Sequence, residues 1–422
     1  MLQLLAPKTW HLAPIILIAT FPLAAGAEID HVALLNQARA KIVKNIERLP
    51  KYTCLQTVHR SRFQMFPPVR VSSCGHVEIS RAAKTQPRMM LAWTDRFKLD
   101  VTVSGGAEIF SWAGAQHFQS EDVENIVGAG MAGTGDFGPF LMSIFGGSAS
   151  QYEYLGLDQE KGRDFAVYRY HVPVSASHYE IKIGSEPEDR ATMAYEGKFW
   201  IDPQNAELSR MTIEVPNPPP GSETCRIETT IHYQQARVGR SDFLLPQLTV
   251  LKLFDREAQR FENRIEYASC REFQSESVFR TDMDAAPGAS EASKLPVAIP
   301  SGITIKIALR SKIQAESSFA GDAIEGQLLN AIGKLVPKGA IIHGRLVRFE
   351  QEYQPSNYFA LGLKFHSVEM NGNEVPLTLI SVNRGKKILA GPIEKRQGIG
   401  MFMFDAGRLP LDQRFVSEWK TE

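Results

Sequence analysis

The sequence has no excess of charge of either sign, because 47 Lys and Arg balance 47 Asp and Glu. Nucleic-acid binding relies on clustered Lys and Arg that neutralise phosphates, so nucleic acid is not expected as a partner. The sequence also lacks a polybasic patch for a membrane surface. After residue 27 no stretch approaches the ~18 apolar residues of a membrane-spanning helix, so no integral span is expected in the mature chain.

The sequence also lacks the motifs of common catalytic and metal sites. Its 10 histidines form no H-E-x-x-H pair and its 4 cysteines no C-x-x-C pair, so no metal and no cofactor are expected. Ser148 lacks the glycine two residues later that a nucleophile elbow requires. Gly128-x-Gly130-x-x-Gly133 matches the dinucleotide fingerprint, but residues 117–127 do not form the buried strand that must precede it. We therefore predict a protein that is not an enzyme, and interpret Asp136-Phe137-Gly138 as a chance match to a kinase magnesium motif.

The first 27 residues have the pattern of an export signal. Lys8 lies in a polar start, residues 12–21 are apolar but too few to span a bilayer, and Ala25-Gly26-Ala27 supplies the small-x-small site of signal peptidase. Cleavage near Ala27, before Glu28, would leave a periplasmic or secreted protein.

Four cysteines follow the signal, and an even number in an oxidising compartment predicts one or two structural disulfides. Cys54 and Cys74 flank a predicted hairpin loop around residues 63–68 and form the favoured pair. Cys225 and Cys270 begin and end a run of predicted strands, so that pair is less obvious. Spacing alone leaves the connectivity open.

Periodicity predicts one helix followed by a large sheet. Asp30 can cap a helix over residues 29–49, where apolar side chains return at helical spacing until Pro50. Residues 97–103 alternate apolar and polar side chains, and similar runs separated by turn signals continue to residue 272. We predict a mainly β (α+β) fold: a curved antiparallel open barrel with an N-terminal helix and a short plug helix, followed by a second small β-barrel.

Residues 121–148 interrupt the β pattern. Several glycines lead into the run 139–146, which as a helix would be apolar on nearly every side and should be buried in the concave face of the sheet. An open barrel also has an interior that an apolar ligand can reach. The candidate cleft or plug residues are therefore the large apolar side chains of this region, Phe110, Trp112, Phe137, Phe140, Leu141, Ile144, Phe145 and Trp200.

Composition divides the chain into segments. We predict a signal peptide over residues 1–27, an open barrel over 28–283, a linker over 284–295, a small β-barrel over 296–390 and a tail over 391–422. The linker is predicted because its residues are small, polar and unpatterned.

Residues 28–283 resemble the LolA, LolB and RseB group of lipoprotein carriers. The resemblance rests on the entry helix, on RFKLDVTVSGGAEIFSWAG at 96–114 and on EGKFWIDPQNAELSRMTIE at 196–214. It implies an open barrel that wraps a helix, with a lipid pocket built from generic apolar side chains, so no single residue inherits a role from the group. The insertion at 121–148 is longer than that group leads us to expect.

Residues 296–390 resemble the outer β-barrel domain of TrbI-type conjugation-channel scaffold proteins. The matching stretches are SGITIKIALRSKIQAESSFAGDAIEGQLLNAI at 301–332, LVPKGAIIHGRLVRF at 335–349 and LGLKFHSVEMNGNEVPL at 361–377. Residues 350–360 form a short polar loop here, where channel-forming members carry apolar membrane helices. The resemblance therefore implies a docking module for an envelope protein partner, not a pore.

Together these features favour a non-catalytic envelope protein. Its open barrel would bind a lipid, an acyl chain, a lipoprotein or a hydrophobic peptide, and its second module would dock to a partner. The alternative is a structural scaffold or interaction protein of an envelope or secretion assembly, with a barrel filled by its own 139–146 helix. A third hypothesis is an enzyme whose site is assembled from scattered loop residues.

Overall fold

The fold is given by a computed structural model of the chain. It describes residues 29–65, 74, 89–104, 107–115, 123–127, 135–182, 189–216, 218–219, 222, 224–273, 299–382 and 398–422. The predicted signal peptide and the predicted linker lie outside these residues.

Helix α1 (His31–Arg48) begins where the sequence predicted. The Asp30 carboxylate accepts hydrogen bonds from the backbone N–H groups of Val32 (3.1 Å) and Ala33 (2.9 Å), which satisfies two donors that the start of a helix leaves unpaired. One apolar stripe packs against the sheet and is buried, namely Leu34, Ala38 and Ile42. Among the described residues two further α-helices are short, α2 (Glu124–Val127) and α3 (Pro139–Leu141), and α3 continues as a π turn over Met142–Gly146.

The first sheet is open and antiparallel. Its strands are β1 (Tyr52–Met65), β2 (Met89–Ser104), β3 (Ala107–Trp112), β4 (Gln151–Glu160), β5 (Arg163–Val172), β8 (Tyr195–Asp202), β9 (Glu207–Val215), β10 (Thr224–Val238), β11 (Ser241–Asp255) and β12 (Arg260–Glu272). Their order is β4–β5–β8–β9–β10–β11–β12–β1–β2–β3, so the last strand of this part of the chain pairs with the first. β6 (Glu180–Lys182) and β7 (Arg190–Thr192) form a separate small sheet.

A second set of strands follows residue 299. Its members are β13 (Thr304–Leu309), β14 (Ala323–Leu328), β15 (Ile341–Glu352), β16 (Tyr358–Met370), β17 (Asn373–Pro376), β18 (Leu379–Ser381), β19 (Gly400–Asp405) and β20 (Val416–Thr421). They pair in the order β19–β16–β15–β14–β13–β20–β18, with β17 returning along β16. β19 and β20 lie in the stretch that the sequence analysis assigned to a tail. Non-local pairing with β16 and β13 makes them strands, and residue spacing did not reveal those partners.

The two sets of strands form one continuous 18-stranded sheet. The later half of β2 pairs with β3, and its earlier half pairs with β15, where Glu350 lies opposite Asp95 and Glu352 opposite Trp93. The predicted fold class is confirmed, because the chain is mainly β, with one large open antiparallel sheet and an N-terminal helix.

Two large hydrophobic clusters hold this sheet. One lies on the inner face of the first sheet, by which we mean the face that packs against α1 and residues 135–146. The other runs from β1, β2, β3 and β12 into the second set of strands without a break. The second set therefore shares its core with one edge of the first sheet.

The disulfides join Cys54 to Cys270 and Cys74 to Cys225. All four cysteines are thus paired as predicted, but the favoured Cys54–Cys74 pair is wrong. β1 runs antiparallel along β12 with Thr53 opposite Arg271, which places Cys54 and Cys270 4.0 Å apart between Cα atoms although 216 residues separate them. Strand order in the sheet, not closeness in the sequence, decided the pairing.

Candidate functional site: the filled inner face

The inner face of the first sheet is occupied by a segment of the same chain. We call residues 135–146 the plug, which comprises α3 and the π turn that follows it. Four of its apolar side chains are buried, namely Phe137, Leu141, Ile144 and Phe145. The sequence analysis predicted that this run would lie buried against the sheet, and these side chains do.

Aromatic contacts fix the plug against the strands. The Phe145 ring meets the Phe199 ring edge to face at 4.9 Å between centroids. The partly buried Phe140 contacts Tyr179 and Tyr195 at 5.8 and 6.0 Å. Offset and edge-to-face aromatic pairs of this kind contribute about 0.5–1.5 kcal/mol each beyond the area that they bury.

The C-terminal end of the plug is bound by α1 and β4. Arg39 donates from Nε to the Phe145 carbonyl (3.2 Å) and from Nη2 to the Gly147 carbonyl (2.6 Å). The Tyr152 hydroxyl donates to the Ile144 carbonyl, and Ser150 Oγ donates to the Ser143 carbonyl at 3.0 Å. The last carbonyls of a helix have no partner within it, so these donors satisfy groups that would otherwise be buried unpaired.

The N-terminal end of the plug is bound through two carboxylates. Both oxygens of Glu108, on β3, accept from the backbone N–H of Gly135 at 3.0 and 3.1 Å. Asp136 Oδ2 accepts from the Thr249 hydroxyl (2.6 Å) and the Tyr267 hydroxyl (2.7 Å). Tyr233 donates to the Asp136 carbonyl at 3.2 Å. The D-F-G triplet that matched a kinase motif is therefore an anchor of the plug.

Burial changes the protonation of these carboxyls. Desolvation and then the charge of Asp136 raise the pKa of Glu108 to about 7, although backbone N–H groups favour its charged form. Burial also raises the pKa of Asp136, which the Thr249 and Tyr267 hydrogen bonds oppose. At least part of this site is consequently protonated near neutral pH.

Three of the predicted candidate residues lie away from the plug helix. Phe110 and Trp112 are buried in the cluster shared with the second set of strands, where Phe137 also lies. Trp200 is on the opposite face of β8 from Phe199 and packs with Phe165 and Val167. Successive side chains of a strand point to opposite faces. Trp200 lies two and four residues from the exposed Lys198 and Glu196, so it shares their face.

Sequence reasoning missed the polar residues that hold the plug. Arg39 lies 106 residues before the carbonyl that it binds, and Asp136 lies 131 residues before Tyr267. No spacing rule connects such distant positions. The one local signal was the acidic residue beside Phe137 in an otherwise apolar and Gly-rich run, which needs a buried partner.

A polar cavity of about 220 Å³ lies apart from this site, where β1, β2 and β15 meet. Its lining includes His59, Arg96, Gln351 and Tyr353. Burial and then Arg96 lower the pKa of His59, so this imidazole is neutral at pH 7. Within the described residues no group of three or more His, Cys, Asp or Glu could hold a metal ion. Nor, in the same part of the chain, is any helix long and apolar enough to cross a membrane.

Comparison with known proteins finds similarity only among solved structures. No protein-family model and no curated protein matches the chain. A DUF1329 family protein from Desulfovibrio piger is 8% identical, with a TM-score of 0.28, covering 58% of this chain and 94% of its own. A putative outer membrane lipoprotein-sorting protein domain from Vibrio parahaemolyticus is 9% identical, with a TM-score of 0.27 and coverages of 57% and 92%.

The lipoprotein LppX of Mycobacterium tuberculosis is also similar, at 11% identity and a TM-score of 0.21, covering 58% of this chain and 98% of its own. The neighbours thus include the lipoprotein-sorting group that residues 28–283 resemble. Because the TM-scores are below 0.5, this likeness carries no argument about a ligand. An argument about a ligand has to come from the residues of the inner face.

Proposed function

We propose that this chain is a non-catalytic exported protein that holds an apolar ligand, such as a lipid, an acyl chain or a hydrophobic peptide, on the inner face of its first sheet. In this proposal the plug occupies the face when no ligand is present and leaves it when a ligand binds. The observation that carries the proposal is the burial of Leu141, Ile144 and Phe145, which are 1, 0 and 1% exposed. All three belong to the plug, whose hydrogen bonds to the rest of the chain lie mainly at its two ends.

The chemistry of the inner face suits a ligand without polar groups along its length. The strands beneath the plug contribute mainly aromatic and aliphatic side chains, among them Phe199, Met211 and Ile213. Such a surface binds by the area removed from water, at about 25 cal/mol per Å², with little directional demand. The plug and an apolar ligand would therefore compete for the same surface.

Export and docking complete the proposal. The two disulfides fit a chain that folds in an oxidising compartment, the periplasm or the exterior. Residues 296–390, which hold the strands β13 to β18, would dock to an envelope partner. A structural scaffold remains the second candidate, because the plug fills the face as a permanent core would.

Replacement of Phe140 and Phe145 with Ala tests the carrier against the scaffold. The variant should lose stability, by ~3–5 kcal/mol for the buried Phe145 and by less for the partly buried Phe140, and should bind an apolar reporter dye more tightly. Fluorescence titration of the dye, with displacement by a fatty acid or phospholipid, measures this. Phe165→Ala, which removes a buried aromatic from the outer face, is the matched control.

The two candidates differ in the wild-type protein. A carrier shows saturable dye binding that lipids displace, and the plug variant binds more tightly while Phe165→Ala does not. A scaffold shows no saturable displacement in wild type. That result would remove the carrier proposal.

A further inference from the structure

The anchor at the N-terminal end of the plug is split between two elements. Glu108 belongs to β3 and stays with the sheet, whereas Asp136 belongs to the plug. In the closed state Glu108 accepts from the Gly135 N–H, directly beside Asp136 in the chain, and Asp136 is only 2% exposed. Departure of the plug would carry Asp136 away from Glu108 and return both groups to water.

Two like charges at a buried contact make closing dependent on protons. Two buried carboxylates repel each other and each loses its hydration, so a proton on one of them relieves both costs. Opening relieves them as well, because it separates the groups and hydrates them. Closing of the plug and proton uptake are therefore linked, because Glu108 stays with the sheet while Asp136 moves with the plug.

The other titratable groups around the pair do not compete for this proton. Those that face the carboxyls are tyrosines from β1, β10, β12 and the segment before β6, namely Tyr52, Tyr233, Tyr267 and Tyr179. Burial raises the pKa of each above the ordinary value of 10.0 for tyrosine, so all four are neutral between pH 5 and 8. Among the described residues that face the pair, this leaves the two carboxyls themselves to take up the proton.

We propose that the plug is a proton-linked gate: it closes with uptake of a proton by the Glu108–Asp136 pair and opens as the pH rises. This inference rests on the proposed function, in which the plug moves, and it adds how the exchange of an apolar ligand is controlled. Acidic pH shifts the equilibrium toward the plug bound on the inner face, and a rise to neutral pH shifts it toward the open state.

The direction follows from the two states of Glu108. Closed, its pKa is about 7; open, it returns to 4.5, the value of a solvated glutamate. The equilibrium constant for closing is therefore largest below about pH 4.5. It falls about tenfold for each pH unit up to about 7, because one pKa unit is a tenfold change in an equilibrium constant. Above that pH the dependence ends. The raised pKa of Asp136 acts in the same direction.

Hydrogen exchange of the full mature chain tests the gate without any ligand. The opening constant of amides 140–146 is measured from pH 5 to 8 and corrected for intrinsic exchange at each pH. We expect it to rise at least about tenfold in the wild type over this range. Glu108→Gln keeps an oxygen for the Gly135 N–H but cannot take up a proton, so its opening constant should rise clearly less over this range than in the wild type, the remainder being due to Asp136.

Two further variants keep the test decisive. If Glu108→Gln fails to fold, Asp136→Asn should reduce the pH response, because it removes the charge that, after desolvation, raises the pKa of Glu108. Glu153→Gln, which neutralises an exposed carboxylate on β4, should keep the wild-type response. A plug that opens equally at all pH values in the wild type, or a Glu108→Gln protein with an unchanged response, would overturn the gate. Failure of the proposed function shows differently, as absence of saturable dye binding at every pH.

Discussion

At the scale of single residues, the buried ion pair of β1 and β2 is the feature most sensitive to change. Arg60 and Asp95 lie opposite each other and are only 3 and 7% exposed. Arg60 Nε donates to Asp95 Oδ1 at 2.8 Å, and its guanidinium lies 5.0 Å from the centre of the Phe97 ring. Burial raises the pKa of Asp95, and the hydrogen bond and charge of Arg60 oppose that rise. Each member thus makes the burial of the other tolerable.

Asp95→Asn should lower the free energy of unfolding by ~3–5 kcal/mol, because it leaves the Arg60 charge buried without a counter-charge. The double variant Arg60→Met/Asp95→Leu should recover most of this loss, since well-packed apolar residues often replace a buried pair without cost. Urea unfolding measures both. Glu153→Gln is the control, because the side chains of the Arg169–Glu153 pair are 54 and 60% exposed, and its effect should stay below about 0.5 kcal/mol. Equal effects of Asp95→Asn and the control would contradict the prediction.

At the scale of elements, the contact between α1 and the plug decides how firmly the inner face is covered. Arg39 satisfies two carbonyls at the plug's end and lies over the Tyr152 ring at 5.3 Å. It is a half-buried cation at the C-terminal end of a short helical segment, where positive charge is favourable. The plug is therefore fastened by charge at both ends and by apolar packing between them.

Arg39→Met should raise the opening constant of the plug about 5- to 30-fold, since each hydrogen bond from a charged donor contributes roughly 1.5–3 kcal/mol in a buried setting and less where water competes. Hydrogen exchange of amides 140–146 at one pH measures it. Lys44→Met removes an exposed charge from the same helix and should leave the opening constant unchanged. If both variants behave alike, Arg39 does not fasten the plug.

At the scale of the whole molecule, the second set of strands is held to the edge of β2 by backbone and arginine contacts. Arg96 donates to carbonyls of the segment 314–318, including Ser318 at 2.6 Å. Arg345 reaches back to the Ala113 carbonyl at 2.8 Å. Lys98 N–H donates to the Ala320 carbonyl at 2.8 Å, which adds a parallel bridge between β2 and the segment before β14. The contact is a continuation of the sheet.

Limited proteolysis tests this contact. The composition of the predicted linker places the first cut between Ala285 and Lys294, which yields two fragments. Both disulfides lie before residue 284, so no covalent bond joins the fragments. We expect them to co-elute in size-exclusion chromatography and to separate only on denaturation, and the double variant Arg96→Ala/Arg345→Ala to separate more readily. Fragments that part spontaneously, or a first cut within 300–380, would contradict the prediction.

The sequence by itself determined what depends on neighbouring residues. The Asp30 cap and the apolar stripe of α1 follow from helical spacing, and alternation along residues 97–103 predicted a strand, although Asp100 and Thr102 on its polar side are buried as well. The run 139–146 had to be buried because it is apolar on nearly every side. The even number of cysteines predicted disulfides, since pairing in an oxidising compartment depends on their count and the compartment.

Only the tertiary structure decided which distant residues meet. Cys54 pairs with Cys270 because β12 returns to β1, and Arg39 and Glu108 bind opposite ends of the plug because α1 and β3 both border the inner face. β19 and β20 are strands because β16 and β13 offer them free edges. Contacts of this kind follow from the order and twist of strands across the whole sheet, and the spacing of residues along the chain does not encode them locally.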